Sequence, residues 1–397
     1  MPSVPALRLL FWETTAGCNL ECVHCRRLDV SHELMKTDLT TAEGRTLIDQ
    51  VASVGRPVLV FSGGEPLMRP DVFDLAAHAK ARGLLIALAT NGTLVDAALA
   101  ERIAATGFDR VSASLDGAGA ATHDAFRGLA GSFDRTMEGL AQLRRAGVPT
   151  QINCTIAKHN KDQIEAVLRL AERLGAVAAH YFLLVPVGCG EQIADDQMLD
   201  TDEVEERLEL IARLERTTAL QIKPTCAPHY YRVIRQQAKA EGRRQPVRIG
   251  GGEAHPPSEP GSVNPVSQLR SEPGSVNPAP HDPTMRSGGH PHGGSLHSIT
   301  KGCLAGTAVC FVSHDGEVFP CGYLPVSAGN VRRQHFADIW RDSRVFNEFR
   351  DPGTLTGKCG RCEYKMVCSG CRARAFYQYG DYLAEEPYCA FEPTRQE

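Results

Sequence analysis

The stretch "LRLLFWETTAGCNLECVHC", residues 7–25, joins an apolar run to three cysteines in the spacing C-x3-C-x2-C. The apolar run predicts a buried strand, so Cys18, Cys22 and Cys25 should lie on the loop that follows it. Three thiols cannot close two disulfides, and a structural zinc site uses four protein ligands. The loop is therefore typical of a metal centre that keeps one coordination position open.

The chain from residue 7 to about 185 continues this alternation of strand and helix. Five further candidate strands follow, "PVLVFSG", "LLIALAT", "RVSASLD", "PTQINCTI" and "AHYFLLVP", with amphipathic helical segments between them. Strict alternation predicts parallel strands joined by helical crossovers. Because six such units are too few for a closed eight-unit barrel, we expect an open or partial barrel with its active site at the C-terminal ends of the strands.

The composition excludes several classes of protein. The chain has 397 residues, 42% of them hydrophobic, and a formal net charge of −4, which gives no electrostatic reason to expect a nucleic-acid partner. It contains no apolar run long enough to span a bilayer, and its first residues lack the features of a signal peptide. We therefore expect a cytoplasmic protein without a membrane span.

Fourteen cysteines are many for a protein of a reducing compartment, where thiols serve as metal ligands more often than as disulfides. Three lie in the loop at 18–25, and eight lie between residues 303 and 389. Cys154, Cys189 and Cys226 are scattered between these groups. Scattered single cysteines are usually small buried hydrophobic residues, whereas clustered ones need a chemical explanation.

Local composition and pattern divide the chain into three parts: 1–230, the strand–helix region; 231–298, a helical connection with an insert; and 299–397, the cysteine-rich region. The insert, 247–298, is rich in Gly, Pro, Ser and His and contains "SEPGSVNP" twice, at 258–265 and 271–278. Such a composition buries little apolar surface, so we expect a disordered linker. A metal-binding role for its histidines is the alternative.

Polar motifs follow the next strands at the same predicted rim. "FSGGEPLM" brings Gly63 and Gly64, which allow close backbone approach to a ligand, and the carboxylate of Glu65. "ATNGTL" contributes Asn91, and "SASLDG" contributes Ser114 and Asp116. Soft thiolates favour iron–sulfur, zinc or copper(I) centres, and a zinc site with His24 as fourth ligand stays open at this point.

The three-cysteine loop and "GGEP", on successive strand-to-helix loops, resemble the radical S-adenosylmethionine (SAM) enzymes. The resemblance implies that Cys18, Cys22 and Cys25 hold a [4Fe–4S] cluster whose open iron binds the amino and carboxylate groups of SAM. It implies that Glu65 and the backbone of Gly63 and Gly64 hold the amino group. It further assigns Asn91, Ser114, Asp116 and Arg127 to the cosubstrate, with a surface salt bridge as the alternative for Arg127, and His24 as a neighbour of the adenine.

The cysteine-rich region resembles the SPASM extension of this family, which carries auxiliary [4Fe–4S] clusters. The resemblance assigns one cluster to Cys303, Cys310, Cys321 and Cys371, and the other to Cys359, Cys362, Cys368 and Cys389. In this pattern the fourth cysteine of "CGRCEYKMVCSGC" crosses to the first cluster, although only two residues separate it from Cys368. Two zinc sites are the alternative, because C-x2-C pairs also suit zinc.

Segments such as "KPTCAPHYYRV" and "GDYLAEEPYC" resemble one branch of the family, the radical SAM heme synthases. This resemblance implies oxidative decarboxylation of two propionates of iron-coproporphyrin III to vinyl groups. The radical would take a hydrogen atom from the propionate β-carbon, carbon dioxide would leave, and the remaining electron would pass to an acceptor. A flavodoxin or ferredoxin is the expected electron donor.

"CAPHYYR" offers groups for such a substrate. His229 or Cys226 could reach the porphyrin iron, Tyr230 and Tyr231 could stack on the macrocycle, and Arg232 could pair with a propionate. A packed turn before a helix is the alternative. Other functions stay open as well: a related tetrapyrrole enzyme of the heme d1 or didecarboxysiroheme branch, a SPASM peptide maturase, and a zinc scaffold protein.

Overall fold

The computed structural model describes residues 4–27, 32–242 and 301–394. The predicted linker at 247–298, with its repeat and its histidines, lies outside the described residues. Within the described ranges, no helix has the length and apolar character that crossing a membrane requires.

One sheet of ten strands runs through the molecule. In chain order the strands are β1 (Leu9–Glu13), β2 (Val58–Ser62), β3 (Leu85–Thr90), β4 (Arg110–Ser114), β5 (Thr150–Ile156), β6 (Ala178–Leu183), β7 (Gln221–Thr225), β8 (Val309–Val312), β9 (Glu317–Phe319) and β10 (Gly329–Asn330). Their spatial order is β10-β9-β8-β1-β2-β3-β4-β5-β6-β7. From β8 through β1 to β7 each strand is parallel to the next, whereas β9 is antiparallel to both β8 and β10.

Helices connect the parallel strands and surround the C-terminal segment. They are α1 (Thr41–Ser53), α2 (Val72–Ala81), α3 (Ala97–Thr106), α4 (Ala120–Arg127), α5 (Ser132–Arg145), α6 (Ile164–Leu174), α7 (Cys189–Gln192), α8 (Ala194–Gln197), α9 (Thr201–Glu215), α10 (Tyr230–Ala240), α11 (Phe336–Asp342), α12 (Arg344–Arg350), α13 (Gly357–Arg361) and α14 (Arg372–Tyr379). Short 3-10 helices span His32–Thr37, Pro66–Met68, Lys161–Gln163 and Pro352–Thr354. Capping boxes at Thr40 and Asp200 fix the starts of α1 and α9, because each side chain satisfies a free backbone N–H.

The six predicted strands are all present and parallel, as the alternation of strand and helix requires. Two features of the sheet were not predicted. Strand β7 contains Lys223 and Pro224, which are poor strand residues, and it follows β6 as a seventh parallel strand. Strand β8 pairs with β1, so the cysteine-rich region extends the same sheet. The predicted division at residue 230 stays a prediction; α10 begins at that residue.

The two faces of the sheet have different characters. The outer face packs its apolar side chains, such as Leu10, Leu88 and Tyr181, against the helices and forms the hydrophobic core. Because side chains alternate along a strand, the residues between them point to the inner face. On β3 and β7 these inner residues are half-buried, and so are Asn153 and Thr155 on β5 and His180 and Phe182 on β6. The inner face is therefore partly accessible to solvent, and its upper rim is formed by the loops after the strands.

Candidate active site

The cysteine loop follows β1, and its three thiols are half-buried and form no disulfide. The loop after β2 holds it in place: Gly64 N–H donates to the Thr15 carbonyl at 2.9 Å, and Glu65 N–H donates to the Gly17 carbonyl at 2.8 Å. A Cβ atom on Gly64 would lie 2.2 Å from the Gly17 oxygen, so only glycine fits. We expected the backbone at this glycine to approach a ligand closely. In the structure it approaches the cysteine loop.

The far end of the cysteine loop is anchored by Glu13, the last residue of β1. The buried Glu13 carboxylate pairs with Arg26 and Arg27, and its Oε2 lies 3.1 Å from His314 Nδ1. Burial alone would raise the pKa of Glu13, but Arg26, His314 and Arg27 together hold it well below its usual range. Sequence reasoning missed this anchor, whose signal is an acidic residue that ends an otherwise apolar strand.

Glu65 is fully buried and connects the loops after β2 and β3. Its carboxylate accepts hydrogen bonds from the Thr90 hydroxyl and the Asn91 amide, both at 2.8 Å, and from the Leu67 amide at 3.2 Å. Burial raises the pKa of Glu65 to about 7, against the opposing effect of these donors. The carbonyl oxygens of Gly63 and Gly64 accept no hydrogen bond from the described residues, so they offer acceptors suited to an ammonium group.

Asn91 and Ser114 lie at the same rim with different surroundings. The Asn91 side-chain amide donates to Asn19 at 2.8 Å, and its oxygen accepts two hydrogen bonds from Thr93. Since Asn19 belongs to the cysteine loop, Asn91 helps to position that loop. Ser114 is the last residue of β4 and is half-buried. Its hydroxyl has no hydrogen bond to the described residues. Ser114 is therefore the more available of the two for a ligand.

Asp116 and Arg127 form a buried ion pair beside the cysteine loop. Asp116 is 0% exposed and Arg127 8%, and Oδ2 lies 2.5 Å from Nη2. Burial would raise the pKa of Asp116, but the Arg127 guanidinium and His24 lower it below its ordinary value. Arg127 Nη1 also lies 3.8 Å from the Cys22 sulfur. The surface salt bridge considered for Arg127 is thus a buried pair that contacts a cysteine of the loop.

His24 lies between the second and third cysteines and stacks on Phe126. The two ring centroids are 3.9 Å apart and the rings are nearly parallel, with His159 on the other side of Phe126 at 4.1 Å. Burial lowers the pKa of His24 to about 4, which keeps the ring neutral at physiological pH. The result is a largely buried stack of aromatic rings next to the cysteine loop.

Four thiols from distant parts of the chain form what we call the first thiol set, Cys226, Cys303, Cys321 and Cys371. Cys226, Cys321 and Cys371 pack into one apolar cluster with Val185 and Leu324. Burial raises the pKa of Cys226, and the thiols of the other three members raise it further, which shows that all four share one electrostatic environment.

Cys310, which was predicted to belong to this group, lies elsewhere. It is 0% exposed in β8 and packs among the outer-face core residues, including Leu10 and Phe346. The physical reason is strand alternation, because Cys310 points to the face of β8 opposite Phe311. The structure therefore does not bring Cys310 close to Cys303, Cys321 and Cys371. Cys226 lies near these three cysteines instead.

The second thiol set is Cys359, Cys362, Cys368 and Cys389, the four cysteines predicted to hold the other cluster. All four line one partly open cavity, and their role as ligands stays a prediction. Backbone N–H groups point at three of the sulfur atoms: Glu386 at Cys359, Tyr364 at Cys362 and Gly370 at Cys368, at 3.3 to 3.4 Å. Donors of this kind stabilise sulfur ligands of iron–sulfur clusters.

A sharp turn separates the last two cysteines of the tight run. Ser369 and Gly370 both have φ of +64°, and Cys371 then starts α14 on the side of the first thiol set. Glu386 fixes this arrangement, since its carboxylate accepts from the Cys371 amide at 2.5 Å and from Arg374 Nε at 3.0 Å. Two left-handed residues thus suffice for the predicted crossover.

"CAPHYYR" lies between the barrel and the cysteine-rich region. His229 and Arg232 line the cavity of the second thiol set. Glu205 binds both terminal nitrogens of Arg232, at 2.8 and 2.5 Å. Tyr230 belongs to the hydrophobic core and donates its hydroxyl to Glu215, while Tyr231 packs edge-on against it. These side chains and Cys226 are thus surrounded mainly by other protein groups and by the thiols of the two sets.

Two regions of the chain match family profiles: residues 12–171 match the radical SAM superfamily, and residues 303–372 match the iron–sulfur cluster-binding domain called SPASM. The chain is also 46% identical over 391 residues to the AdoMet-dependent heme synthase of Methanosarcina barkeri, with 98% of each chain covered. This chain belongs to the radical SAM superfamily. The predicted α/β fold with a SPASM extension is confirmed.

A second curated protein and a solved structure are also similar to this radical SAM enzyme. It is 41% identical to the AdoMet-dependent heme synthase of Nitratidesulfovibrio vulgaris, over 98% of this chain and 94% of that one. Among solved structures, Streptococcus suis SuiB bound to precursor peptide SuiA shares the fold, with a TM-score of 0.68 and 14% identity over 97% of this chain and 76% of that one. The radical SAM enzyme accordingly uses a [4Fe–4S] cluster and SAM, and its SPASM domain carries auxiliary clusters.

The donors of this radical SAM enzyme fit such clusters. Burial raises the pKa of the thiols of Cys18, Cys22 and Cys25, so thiolates here need the charge of a bound metal. No three Cys, His, Asp or Glu side chains in the described ranges converge as ligands of a single metal ion. A four-iron cluster takes each thiolate on a different iron, so its ligands need not meet at one point.

Proposed function

We propose that this radical SAM enzyme oxidatively decarboxylates two propionates of iron-coproporphyrin III to vinyl groups, which gives heme b. The observation that carries the proposal is the full-length identity of 46% to a heme synthase. It is supported by the presence of all three cysteine groups in this chain: the loop after β1 and the two thiol sets. Because these proteins align over almost their entire lengths, the likeness includes the SPASM domain as well as the barrel.

We assign Cys18, Cys22 and Cys25 to the radical cluster. With SAM bound, this centre supplies a 5′-deoxyadenosyl radical that removes a hydrogen atom from the substrate. The free carbonyl oxygens of Gly63 and Gly64 accept the amino group of SAM, and Glu65 holds their loop against the cysteine loop. Glu65 is thus a positioning residue more than a direct ligand.

Ser114 is available to the ribose through its unpaired hydroxyl. The buried Asp116–Arg127 pair keeps a guanidinium next to the Cys22 sulfur, where it can face the carboxylate of SAM. His24, which stacks on Phe126, would be the flat neighbour of the adenine. These residues lie on the loops after β1 and β4 and on α4, so the cosubstrate would bind on the rim formed by the first four strands.

The two thiol sets would hold the auxiliary clusters, and these clusters would supply an acceptor for the remaining electron. Loss of a hydrogen atom and then of carbon dioxide from a propionate leaves one electron, which must reach an acceptor. The first thiol set includes Cys226, which directly follows β7 at the rim, and the second set lines a partly open cavity. Arg374 and Glu386 form a buried pair between the sets: Arg374 donates to the Cys226 carbonyl at 2.7 Å, and the Glu386 amide donates to the Cys359 sulfur. The sets therefore offer a path from the rim to the surface.

We further propose a cytoplasmic enzyme that receives electrons from a flavodoxin or ferredoxin. Eleven ligand thiols, three in the loop and eight in the two sets, suit a reducing compartment. A low-potential carrier is required because cleavage of SAM begins with reduction of the cluster.

The proposal is tested by substrate binding and by its effect on SAM cleavage. Reconstituted protein, kept anaerobic, is titrated with iron-coproporphyrin III, and we expect a shift of its Soret band. The same porphyrin should raise the yield of 5′-deoxyadenosine in the presence of reductant. A protein that cleaves SAM at the same rate with or without the porphyrin, and leaves the Soret band unchanged, would contradict the proposal. The peptide-maturase and other tetrapyrrole alternatives would then be tested with their own substrates.

A further inference from the structure

Four polar side chains cross the inner face of the sheet on neighbouring strands. We call them the inner basic row: Arg110 on β4, Gln151 on β5, His180 on β6 and Lys223 on β7. Arg110 Nη1 donates to Gln151 Oε1 at 3.2 Å, and Gln151 Nε2 lies 3.0 Å from His180 Nδ1. His180 and Lys223 are direct cross-strand neighbours. The row is therefore continuous across four strands.

The row carries positive charge without a carboxylate. Neither Arg110 nor Lys223 forms an ion pair within the described residues, and Lys223 has no hydrogen bond there either. Arg110 is 9% exposed, and its Nε is buried without a partner. Burial lowers the pKa of both cations, and no acidic group opposes this effect. Burial, Lys223 and Arg110 lower the pKa of His180 to about 3, so that ring is neutral.

Unpaired cations in a partly buried place are unfavourable, and proteins usually compensate them with a counter-charge. The carboxylates of Glu13, Glu65 and Asp116 lie at the rim and are bound by other groups. An anionic ligand on the inner face would supply the missing charge. The row is accessible to one, because Lys223 and His180 are only half-buried.

The location of the row suits one end of a flat substrate. Lys223 lies two residues before the end of β7, and Arg110 lies four residues before the end of β4. At about 3.3 Å per residue, the two cations of the row are roughly 7 to 13 Å below the rim that carries the cysteine loop. Phe11 on β1 lies on the same inner face and is half-buried, whereas its cross-strand neighbour Phe311 on β8 is 4% exposed and lies under the Arg26 guanidinium. A flat macrocycle that contacts Phe11 would have one edge at the rim and the other at the row.

We propose that the inner basic row is a carboxylate-binding site that holds the propionates of the tetrapyrrole that do not react. This inference rests on the proposed function and adds the residues that orient its substrate. A decarboxylase that acts on one propionate at a time has to hold, in each turnover, carboxylates that do not react. Arg110 and Lys223 would pair with those carboxylates; Gln151 would keep Arg110 in place, and His180 in turn contacts Gln151.

The test compares Lys223→Met with Lys239→Met, which removes an exposed lysine from α10. Both variants and the wild type are reconstituted and titrated, by Soret absorption, with iron-coproporphyrin III and with its uncharged tetramethyl ester. We expect Lys223→Met to weaken binding of the acid by about ten- to a hundred-fold, the range for a charge-assisted contact, and to leave binding of the ester unchanged. Lys239→Met should bind both ligands like the wild type, and Lys223→Arg should restore binding of the acid.

The outcomes separate the inference from the proposed function. Wild type that binds the acid, together with Lys223→Met that binds it equally well, overturns the inference alone. Wild type that binds neither ligand overturns the proposed function, and the inference with it. Iron and sulfide content check that each variant is folded. If Lys223→Met loses its clusters, Lys223→Gln replaces it, and equal affinity of the wild type for acid and ester still overturns the inference.

Discussion

The cysteine loop after β1 and the cysteine-rich C-terminal region hold thiols in different ways. The loop supplies three thiols from eight consecutive residues, and the backbone of Gly64 and Glu65 fixes its shape. The C-terminal region, together with Cys226, supplies two sets of four thiols from segments far apart in sequence. A complete set of four protein ligands closes a metal site, whereas three leave a position for a small molecule. The comparison separates a loop that can bind a cosubstrate from two sets whose thiols can complete the coordination of a cluster.

Each region also contains a buried arginine–carboxylate pair, and the two pairs differ in what they contact. Next to the loop, Arg127 is paired with Asp116 and also lies 3.8 Å from the Cys22 sulfur. Between the thiol sets, Arg374 is paired with Glu386, both are 1% exposed, and Arg374 also donates to the Cys226 carbonyl. The first pair therefore contacts a thiol of the loop, whereas the second contacts the backbone that carries a thiol.

The largest effect should come from removing the loop thiols. We expect the triple variant Cys18→Ala, Cys22→Ala and Cys25→Ala to lose all 5′-deoxyadenosine formation and still contain iron in its C-terminal region. Product chromatography and iron analysis measure the two quantities. Cleavage of SAM by the triple variant would break the distinction between the loop and the thiol sets.

A second large effect should separate Cys226 from Cys310. Cys226→Ala should lose most of one cluster, about four iron atoms per chain, because it removes a ligand of the first thiol set. Cys310→Ala is the matched control; it should keep its iron and lose only about 1 kcal/mol of stability through a small cavity in the core.

Iron and sulfide analysis and electron paramagnetic resonance of the reduced proteins distinguish the two variants. Loss of a cluster in Cys310→Ala with a full complement in Cys226→Ala would reverse our assignment of the first set.

Glu386→Gln should have an intermediate effect on stability. The change leaves Arg374 as an uncompensated charge in a site that water hardly reaches, which costs about 3–5 kcal/mol in comparable buried pairs. The unfolding temperature of the reconstituted protein measures the loss. Glu363→Gln, on an exposed residue beside Cys362, serves as the control and should unfold like the wild type. Equal unfolding temperatures for all three proteins would show that the pair does not stabilise the region between the sets.

The smallest effect is expected from deleting residues 253–295. Their composition predicts a linker without a catalytic role, so the shortened protein should keep its cluster content and turnover nearly intact. Iron analysis and turnover assays check this. A large loss of activity would mean that the insert, or its histidines, takes part in the reaction.

Much of the barrel could be predicted from sequence because its signals are local. Alternating strand and helix patterns located β1 to β6, and the spacing of Cys18, Cys22 and Cys25 located the loop at the end of β1. Strand β7 was not predicted because it contains Lys223 and Pro224, and both residue types are uncommon in strands. The same lysine belongs to the inner basic row, so the residue that weakens the strand pattern is the one with a role in the cleft.

The first thiol set shows what local signals do not contain. Cys310 is close in sequence to Cys303 and Cys321, and spacing alone groups the three. Its position in β8, paired with β1, turns it toward the helices instead. Cys226 is separated from Cys303 by the insert, so only the folded chain brings the two together. The pairing of β8 with β1 joins segments about three hundred residues apart, and no short-range pattern specifies it.

The central claim is that this radical SAM enzyme converts propionates of iron-coproporphyrin III to vinyl groups. It is tested most directly by mass spectrometry of the porphyrin after anaerobic incubation of reconstituted protein with iron-coproporphyrin III, SAM and a low-potential reductant. We predict a transient monovinyl product, which has lost one carbon dioxide and two hydrogens, followed by heme b, which has lost two carbon dioxides and four hydrogens. Unchanged porphyrin mass in a sample that forms 5′-deoxyadenosine would contradict the claim.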